Sequence, residues 1–148
     1  MRRGLAVAAL FFVAGGCGGR SAPPAPPADW RANARQVVEQ LDVDIAAAAV
    51  GGTTRAAAAK ALTDTSSLYA LLVAYSDLGG CRAMVSAAGP PTPVVAALLP
   101  ACTRLQRAAS LFARAAQAND ARALVRATRE AARAQPLLVR AMLAIRRA

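Results

Sequence analysis

The chain has 148 residues, the length of a single domain, and a formal net charge of +10. Alanine, the strongest helix former, contributes 41 residues and aromatic residues only 4%, so the composition excludes a strand-rich fold and predicts an all-α protein. The chain contains no histidine, which removes the commonest general base and metal ligand and disfavours histidine-based catalysis.

The first 19 residues have the pattern of a secretory signal peptide. Arg2 and Arg3 form a positive start, an apolar run follows at 5–14, and small residues lead into Cys17. The four residues that end at this cysteine, Ala-Gly-Gly-Cys, resemble the lipobox of bacterial lipoproteins. The resemblance covers residues 1–19 only. It implies a signal peptide of residues 1–16, cleavage before Cys17, and attachment of diacylglycerol to the Cys17 sulfur.

The alternative for this segment is an uncleaved membrane anchor. The uncharged stretch from Gly4 to Gly19 is shorter than the roughly 20 apolar residues of a spanning helix, so cleavage is favoured. The lipoprotein resemblance implies an extracytoplasmic protein held to the bacterial membrane by its lipid. Gly18 stands where aspartate signals inner-membrane retention in that family. Delivery to the outer membrane is therefore expected in a cell that has one.

Residues 17–28 are predicted to form the lipidated cysteine and a flexible, proline-rich tether. Four prolines within residues 18–28 favour an extended polyproline conformation. At polyproline spacing these residues span roughly 30 Å between the bilayer and the folded domain. The domain itself is predicted to comprise residues 29–148.

The cysteine count predicts one disulfide. Once Cys17 carries lipid, Cys81 and Cys102 remain as a single pair. Two thiols in a small extracytoplasmic domain are usually oxidised, and their spacing does not resemble a redox Cys-x-x-Cys motif. We therefore predict a structural bridge between Cys81 and Cys102.

Four main helical segments are predicted, and their short connections indicate an antiparallel bundle. The first begins after Asp29 and ends at the glycine pair 51–52, and its acidic residues Glu39, Asp42 and Asp44 are predicted to form a solvated face rather than a metal site. The other three have turn or capping residues at their ends. The second begins after Thr53 or Thr54 and runs to Gly80, with a break near Asp64 and a short helix at 81–88 after it. The third runs from Thr92 to Asn119 and is kinked or split by Pro100, and the last runs from Ala121 to about Arg147 and is kinked at Pro136.

The last predicted helix carries a row of arginines opposite its apolar face. At 100° per residue five of them fall within about 60°: Arg122, Arg126, Arg129, Arg133 and Arg140. The segment 101–148 has a net charge of +8, whereas 29–80 has −2. One interpretation is a solvated face in a genome that uses arginine in place of lysine. The other is a surface for phospholipid head groups or phosphate-bearing envelope polymers; nucleic acid fits the charge but not the predicted compartment.

The sequence predicts a protein without catalytic residues, cofactor or metal. The eight carboxylates are mostly isolated on helix faces, and no nucleophile has an activating partner at a recognisable spacing. The favoured function is a membrane-anchored interaction module whose partner is an anionic envelope component or another envelope protein. The alternative is a carrier that binds a small apolar ligand between its helices. A crevice on the order of several hundred Å³ lined by Leu, Tyr and Phe would favour the carrier.

The lipobox predicts the mass of the mature protein. Mass spectrometry of protein extracted from native membranes is expected to show a chain that starts at Cys17 and carries a diacylglyceryl group. Cys17→Ser is expected to prevent both processing and lipid attachment. A mature protein that starts elsewhere and has an unmodified Cys17 would contradict the prediction.

Overall fold

The computed structural model describes residues 24–148, and the signal segment and Cys17 lie outside the described residues. The described part contains helices and no strand, which confirms the all-α prediction. Its elements are α1 (Trp30–Ala48), a 3-10 turn (Ala49–Gly51), α2 (Arg55–Thr63), α3 (Thr65–Gly79), α4 (Cys81–Ala88), α5 (Thr92–Ala118), α6 (Ala121–Ala132) and α7 (Gln135–Arg147). None of these seven helices is both long and apolar enough to cross a bilayer.

Side-chain caps set three of the helix starts. The Thr54 hydroxyl accepts a hydrogen bond from the backbone N–H of Ala57 at the start of α2. Asp64 lies between α2 and α3 and caps the start of α3. Its carboxylate accepts a hydrogen bond from the backbone N–H of Ser67 at 2.8 Å. Hydrogen bonding to Ser67 lowers the pKa of Asp64. Asp120 caps α6 in the same way. These caps satisfy first-turn donors that have no acceptor within the helix, and they confirm the predicted break near Asp64.

The prediction of one helix from Ala121 to Arg147 is wrong. The chain forms α6 and α7, separated by Arg133 and Ala134, and Pro136 lies in the first turn of α7. Proline has no N–H to donate to the carbonyl four residues earlier, and its ring clashes with that carbonyl, which disfavours a continuous helix at that point. It is well suited to a helix start, so the chain begins a new helix instead of bending the old one.

Pro100 has a different effect from Pro136. It lies inside α5, which continues through it from Thr92 to Ala118 without losing its first turn. The carbonyl of Ala96 lacks its usual hydrogen-bond donor because Pro100 has no N–H. Both residues lie on the exposed side of the helix. Water can therefore satisfy that carbonyl, which makes the proline tolerable within the helix.

The core is organised around α5, which packs against α3, α4, α6 and α7. The contact between α5 and α6 is the most extensive in the described chain. Two sets of buried α5 residues each recur every seven positions. They are the large side chains Leu98, Leu105 and Phe112, and the small side chains Ala101, Ala108 and Ala115. Small side chains let neighbouring helix backbones approach closely, so alanine here takes the place of bulky core residues.

Two polar residues are placed differently from the sequence prediction. Asp44, assigned to a solvated acidic face, is only 5% exposed, and its carboxylate accepts from Gln40 Nε2 at 3.2 Å. Burial raises the pKa of Asp44, the Gln40 hydrogen bond opposes this, and the charge of Asp77 adds to the increase. Gln135, which helical periodicity places opposite the predicted arginines and so on the inward face, is exposed, and its Nε2 donates to the Asp42 carboxylate at 3.0 Å. Because α1 packs against α3, α4 and α7, its buried surface is wider than one apolar stripe.

Cys81 and Cys102 lie at disulfide distance, as predicted. Cys81 is the first residue of α4, Cys102 lies within α5, and their Cα atoms are 5.2 Å apart. Both side chains are fully buried. The bridge therefore holds the short helix α4 against the central helix.

Loss of this bridge is expected to lower the free energy of unfolding by about 3 kcal/mol, because the unfolded chain regains the entropy of a loop of this length. Urea unfolding of the unlipidated chain (residues 18–148) should show this with and without reductant. The double variant Cys81→Ser, Cys102→Ser should match the reduced protein and be insensitive to reductant. An unchanged unfolding midpoint after confirmed reduction would contradict the prediction.

Tyr75 places a hydroxyl group in the core. Its ring stacks on Phe112 with centroids 4.5 Å apart, and the residue is only 2% exposed. Thr128 is its polar neighbour, yet neither hydroxyl has a partner of hydrogen-bonding geometry among residues 24–148. Burial raises the pKa of Tyr75 to about 12, and the opposing influence of Thr128 is smaller.

This raised pKa predicts alkaline destabilisation. An unfolded tyrosine releases its proton near pH 10, whereas Tyr75 in the folded chain keeps it to about pH 12. Its contribution to stability is therefore complete below pH 10 and declines as the pH rises from 10 to 12. In denaturant titrations Tyr75→Phe should remove part of this decline, and the exposed Tyr69→Phe should leave it intact. Equal pH profiles for Tyr75→Phe and the parent chain would contradict the prediction.

Candidate anion-binding surface

Helix α6 exposes little except arginine. Arg122, Arg126, Arg129 and Arg133 are exposed, and we call these four the arginine row. The opposite positions are buried in the core: Ala121, Ala123, Leu124, Val125, Ala127, Thr128 and Ala131. The fifth predicted member, Arg140, is also exposed but belongs to α7, beyond the break. The structure thus places three of the five predicted arginines in α6 and a fourth, Arg133, directly after its last residue.

The first part of the row borders a concavity between α6 and the start of α2, which we call the α2–α6 basin. Its volume is about 450 Å³. The lining combines cationic side chains with loop residues: Thr53, Thr54, Arg55, Arg122, Val125, Arg126 and Arg129. Arg129 Nη2 donates to the backbone carbonyl of Thr53 at 3.4 Å, a long contact that links α6 to the loop. Four arginine side chains therefore line one depression.

The loop before α2 positions Arg55 beside α6. Gly52 has a φ of 73°, a left-handed conformation that favours glycine, and a Cβ there would lie 2.6 Å from the Ala57 Cβ. The chain turns at this point, Thr54 caps α2, and Arg55 becomes the first helical residue. The N–H groups of Arg55 and Ala56 belong to the first turn and have no acceptor within the helix. The positive end of the helix dipole is thus added to the charge of the basin.

The second part of the row borders a smaller concavity of about 260 Å³ between α5 and α6. Arg107 and Arg133 line it together with Arg126 and Arg129, but this depression also contains Glu130. The Glu130 carboxylate is 3.1 Å from Arg104 Nη1 and 2.8 Å from Arg133 Nη1. The acid offsets part of the positive charge, so the α5–α6 concavity is the less favourable of the two for an anion.

The two Glu130 contacts are the ion pairs found within residues 24–148. All eight carboxylates of the chain lie in this described part. Arg55, Arg122, Arg126 and Arg129 therefore have no carboxylate partner. Asp120 is close to Arg122 in sequence, but its carboxylate accepts from backbone N–H groups at the start of α6. The basin is a concentration of unpaired positive charge.

Arg55 is the functional candidate that sequence analysis missed. It lies far from α6 along the chain, and no periodic pattern connects a helix start with a later helix face. Its position after a predicted cap was visible, but its proximity to Arg122 and Arg126 depends on tertiary packing of α2 against α6. Arg107, which lines the α5–α6 concavity, was counted only as part of the basic C-terminal half.

Apolar grooves are also present, and one has the composition expected of a carrier site. A groove of about 370 Å³ between α3 and α5 is lined in part by Leu72, Tyr75 and Phe112. The two rings are stacked on each other and are only 2% and 4% exposed. They therefore fill the space between the helices and offer little surface to a ligand.

Among residues 24–148, no three acidic or cysteine side chains come close enough together to hold a metal ion. Comparison with protein-family models, with curated proteins and with solved structures finds no match for this chain.

Proposed function

We propose that this protein is a lipid-anchored extracytoplasmic lipoprotein whose helical domain is a non-catalytic module that binds anionic membrane surfaces. One observation carries the proposal: Arg55 and three members of the arginine row, Arg122, Arg126 and Arg129, line the α2–α6 basin and have no carboxylate partner. Guanidinium groups bind phosphate through paired hydrogen bonds, which makes phospholipid head groups suitable partners.

The energetic scale supports membrane contact as a second attachment. Each basic residue near an anionic surface contributes about 1 kcal/mol, so four arginines supply a substantial reversible interaction. A lipid on Cys17 and the predicted tether would keep the domain close to the bilayer, where weak surface contacts have a high effective concentration. Lipid and arginines together would determine how the domain lies on the membrane.

The carrier alternative has less support. The α3–α5 groove has a suitable volume, but a small-molecule site normally encloses most of its ligand, and the aromatic rings here are already buried against each other. A carrier of this type would need the Tyr75–Phe112 stack to open. The arginines of the α2–α6 basin are already exposed and can bind an anion without such an opening.

The membrane proposal predicts salt-dependent binding of the unlipidated chain to anionic vesicles. Co-sedimentation with phosphatidylglycerol vesicles should be strong at low salt and weak at high salt, because ions screen the interaction. Replacing all four residues of the arginine row with glutamine is expected to abolish binding and leave the helical circular dichroism unchanged.

A matched control uses the same kind of substitution outside the row. Arg31, Arg35, Arg82 and Arg114 are exposed and do not line either arginine concavity. Their replacement by glutamine removes the same charge and should weaken binding much less. Wild-type chain that ignores phosphatidylglycerol vesicles at low salt would overturn the membrane proposal. Equal losses in the two quadruple variants would show that net charge, not this surface, drives binding.

A further inference from the structure

We infer that the α2–α6 basin is a discrete site for a phosphomonoester group, the terminal phosphate of a lipid head group or of a soluble phosphate ester. This deepens the proposed function and rests on it for the choice of an anionic ligand. The basin would then be a defined binding site for one chemical group, which is more specific than a diffuse attraction between a basic face and a charged surface.

The arrangement of the arginines differs from that of a solvated basic face. Arg122, Arg126 and Arg129 occupy successive turns of α6, while Arg55 belongs to another helix that packs against α6. All four line the same depression. Like charges on separate elements repel one another when they share a concavity, and that repulsion is relieved when an anion binds between them. Arg140, in contrast, lines none of the arginine concavities.

The start of α2 adds donors that do not depend on the side-chain charges. Thr54 already binds the N–H of Ala57, which leaves the N–H groups of Arg55 and Ala56 without an acceptor in the helix. Thr53 and Thr54 also line the basin. Backbone N–H groups at a helix start, together with the helix dipole, favour a phosphate at this position.

Arg129 connects the two sides of the basin. Its exposed Nη2 atom donates a long hydrogen bond, 3.4 Å, to the Thr53 carbonyl in the loop that leads into α2. Arg129 thereby joins the two elements that supply the remaining arginines.

The charge of the basin favours a phosphomonoester over a phosphodiester. A phosphomonoester carries about −1.5 to −2 charges at pH 7 and three terminal oxygens that accept hydrogen bonds. A phosphodiester carries one charge and two such oxygens, and both of its substituents must leave the site. Four unpaired cations match the dianion better. The α5–α6 concavity, where Glu130 already pairs with two arginines, lacks this match.

The test compares two lipids and two single variants of the unlipidated chain. Vesicles of phosphatidylcholine contain either phosphatidic acid, a phosphomonoester, or phosphatidylglycerol, a phosphodiester, with the proportions adjusted to equal surface potential. Arg55→Gln removes a basin arginine, and Arg140→Gln is the matched control outside it. Both positions are exposed, and loss of a cation at the start of α2 does not disfavour the helix.

We expect the parent chain to bind phosphatidic acid at least tenfold more tightly than phosphatidylglycerol. Arg140→Gln lies outside the basin and should weaken binding to both lipids only slightly. Arg55→Gln should weaken phosphatidylglycerol binding by about fivefold, the contribution of one cation in contact with an anionic surface. It should weaken phosphatidic acid binding by roughly twentyfold, because a charge-assisted hydrogen bond is also lost. Equal binding to the two lipids, with Arg55→Gln and Arg140→Gln equivalent, would overturn the site and leave the membrane proposal intact.

Calorimetric titration with glycerol phosphate separates the two sources of the phosphate group. In one outcome the parent chain binds glycerol phosphate but neither kind of vesicle, and Arg55→Gln loses this binding while Arg140→Gln keeps it. That outcome would support the site for soluble esters and overturn membrane binding. Phosphatidic acid preference with much weaker glycerol phosphate binding would identify the lipid as the source. Absence of binding to vesicles and to glycerol phosphate would overturn the site and the membrane proposal together.

Discussion

The close contact between α5 and α6 is the constraint on which the rest of the structure depends. Both helices bury small residues, among them Ala101, Ala108 and Ala115 of α5. A core with few aromatic side chains is filled in part by bringing helix backbones close together. As a result, α6 is buried on most of its circumference. The one face left for solvent carries the arginine row, so the packing of the core determines where the positive charge is displayed.

The helix ends were largely predictable because they depend on local chemistry. Asp64, Thr54 and Asp120 each cap a helix through their own side chains, and a side-chain oxygen next to a first turn is visible in the sequence. The two internal prolines were harder to predict. Pro100 is accommodated within α5, whereas Pro136 begins α7, and the difference depends on how each neighbouring segment packs against the rest of the protein.

The basic surface was predictable from sequence only in part. Helical periodicity places the arginine row on one face, but it cannot indicate that Arg55 faces the same depression or that Arg140 belongs to a separate helix. Asp44 illustrates the same limit: a helix with a single apolar stripe would expose it, whereas α1 packs against several other helices and buries it. Where the position of a residue depends on the packing of two helices against each other, the periodicity of one helix cannot predict it.

The cysteine pair has a consequence for the order of biogenesis. Cys81 and Cys102 are separated by only 21 positions and join neighbouring segments of the chain. In the proposed export from the N-terminus, both thiols of this pair would leave the translocation channel before α6 and α7 emerge. An oxidant in that compartment would meet two cysteines that belong to a nearly local hairpin. The Cys81–Cys102 disulfide can therefore form before α6 emerges, and α6 then packs against an α4–α5 unit that is already cross-linked.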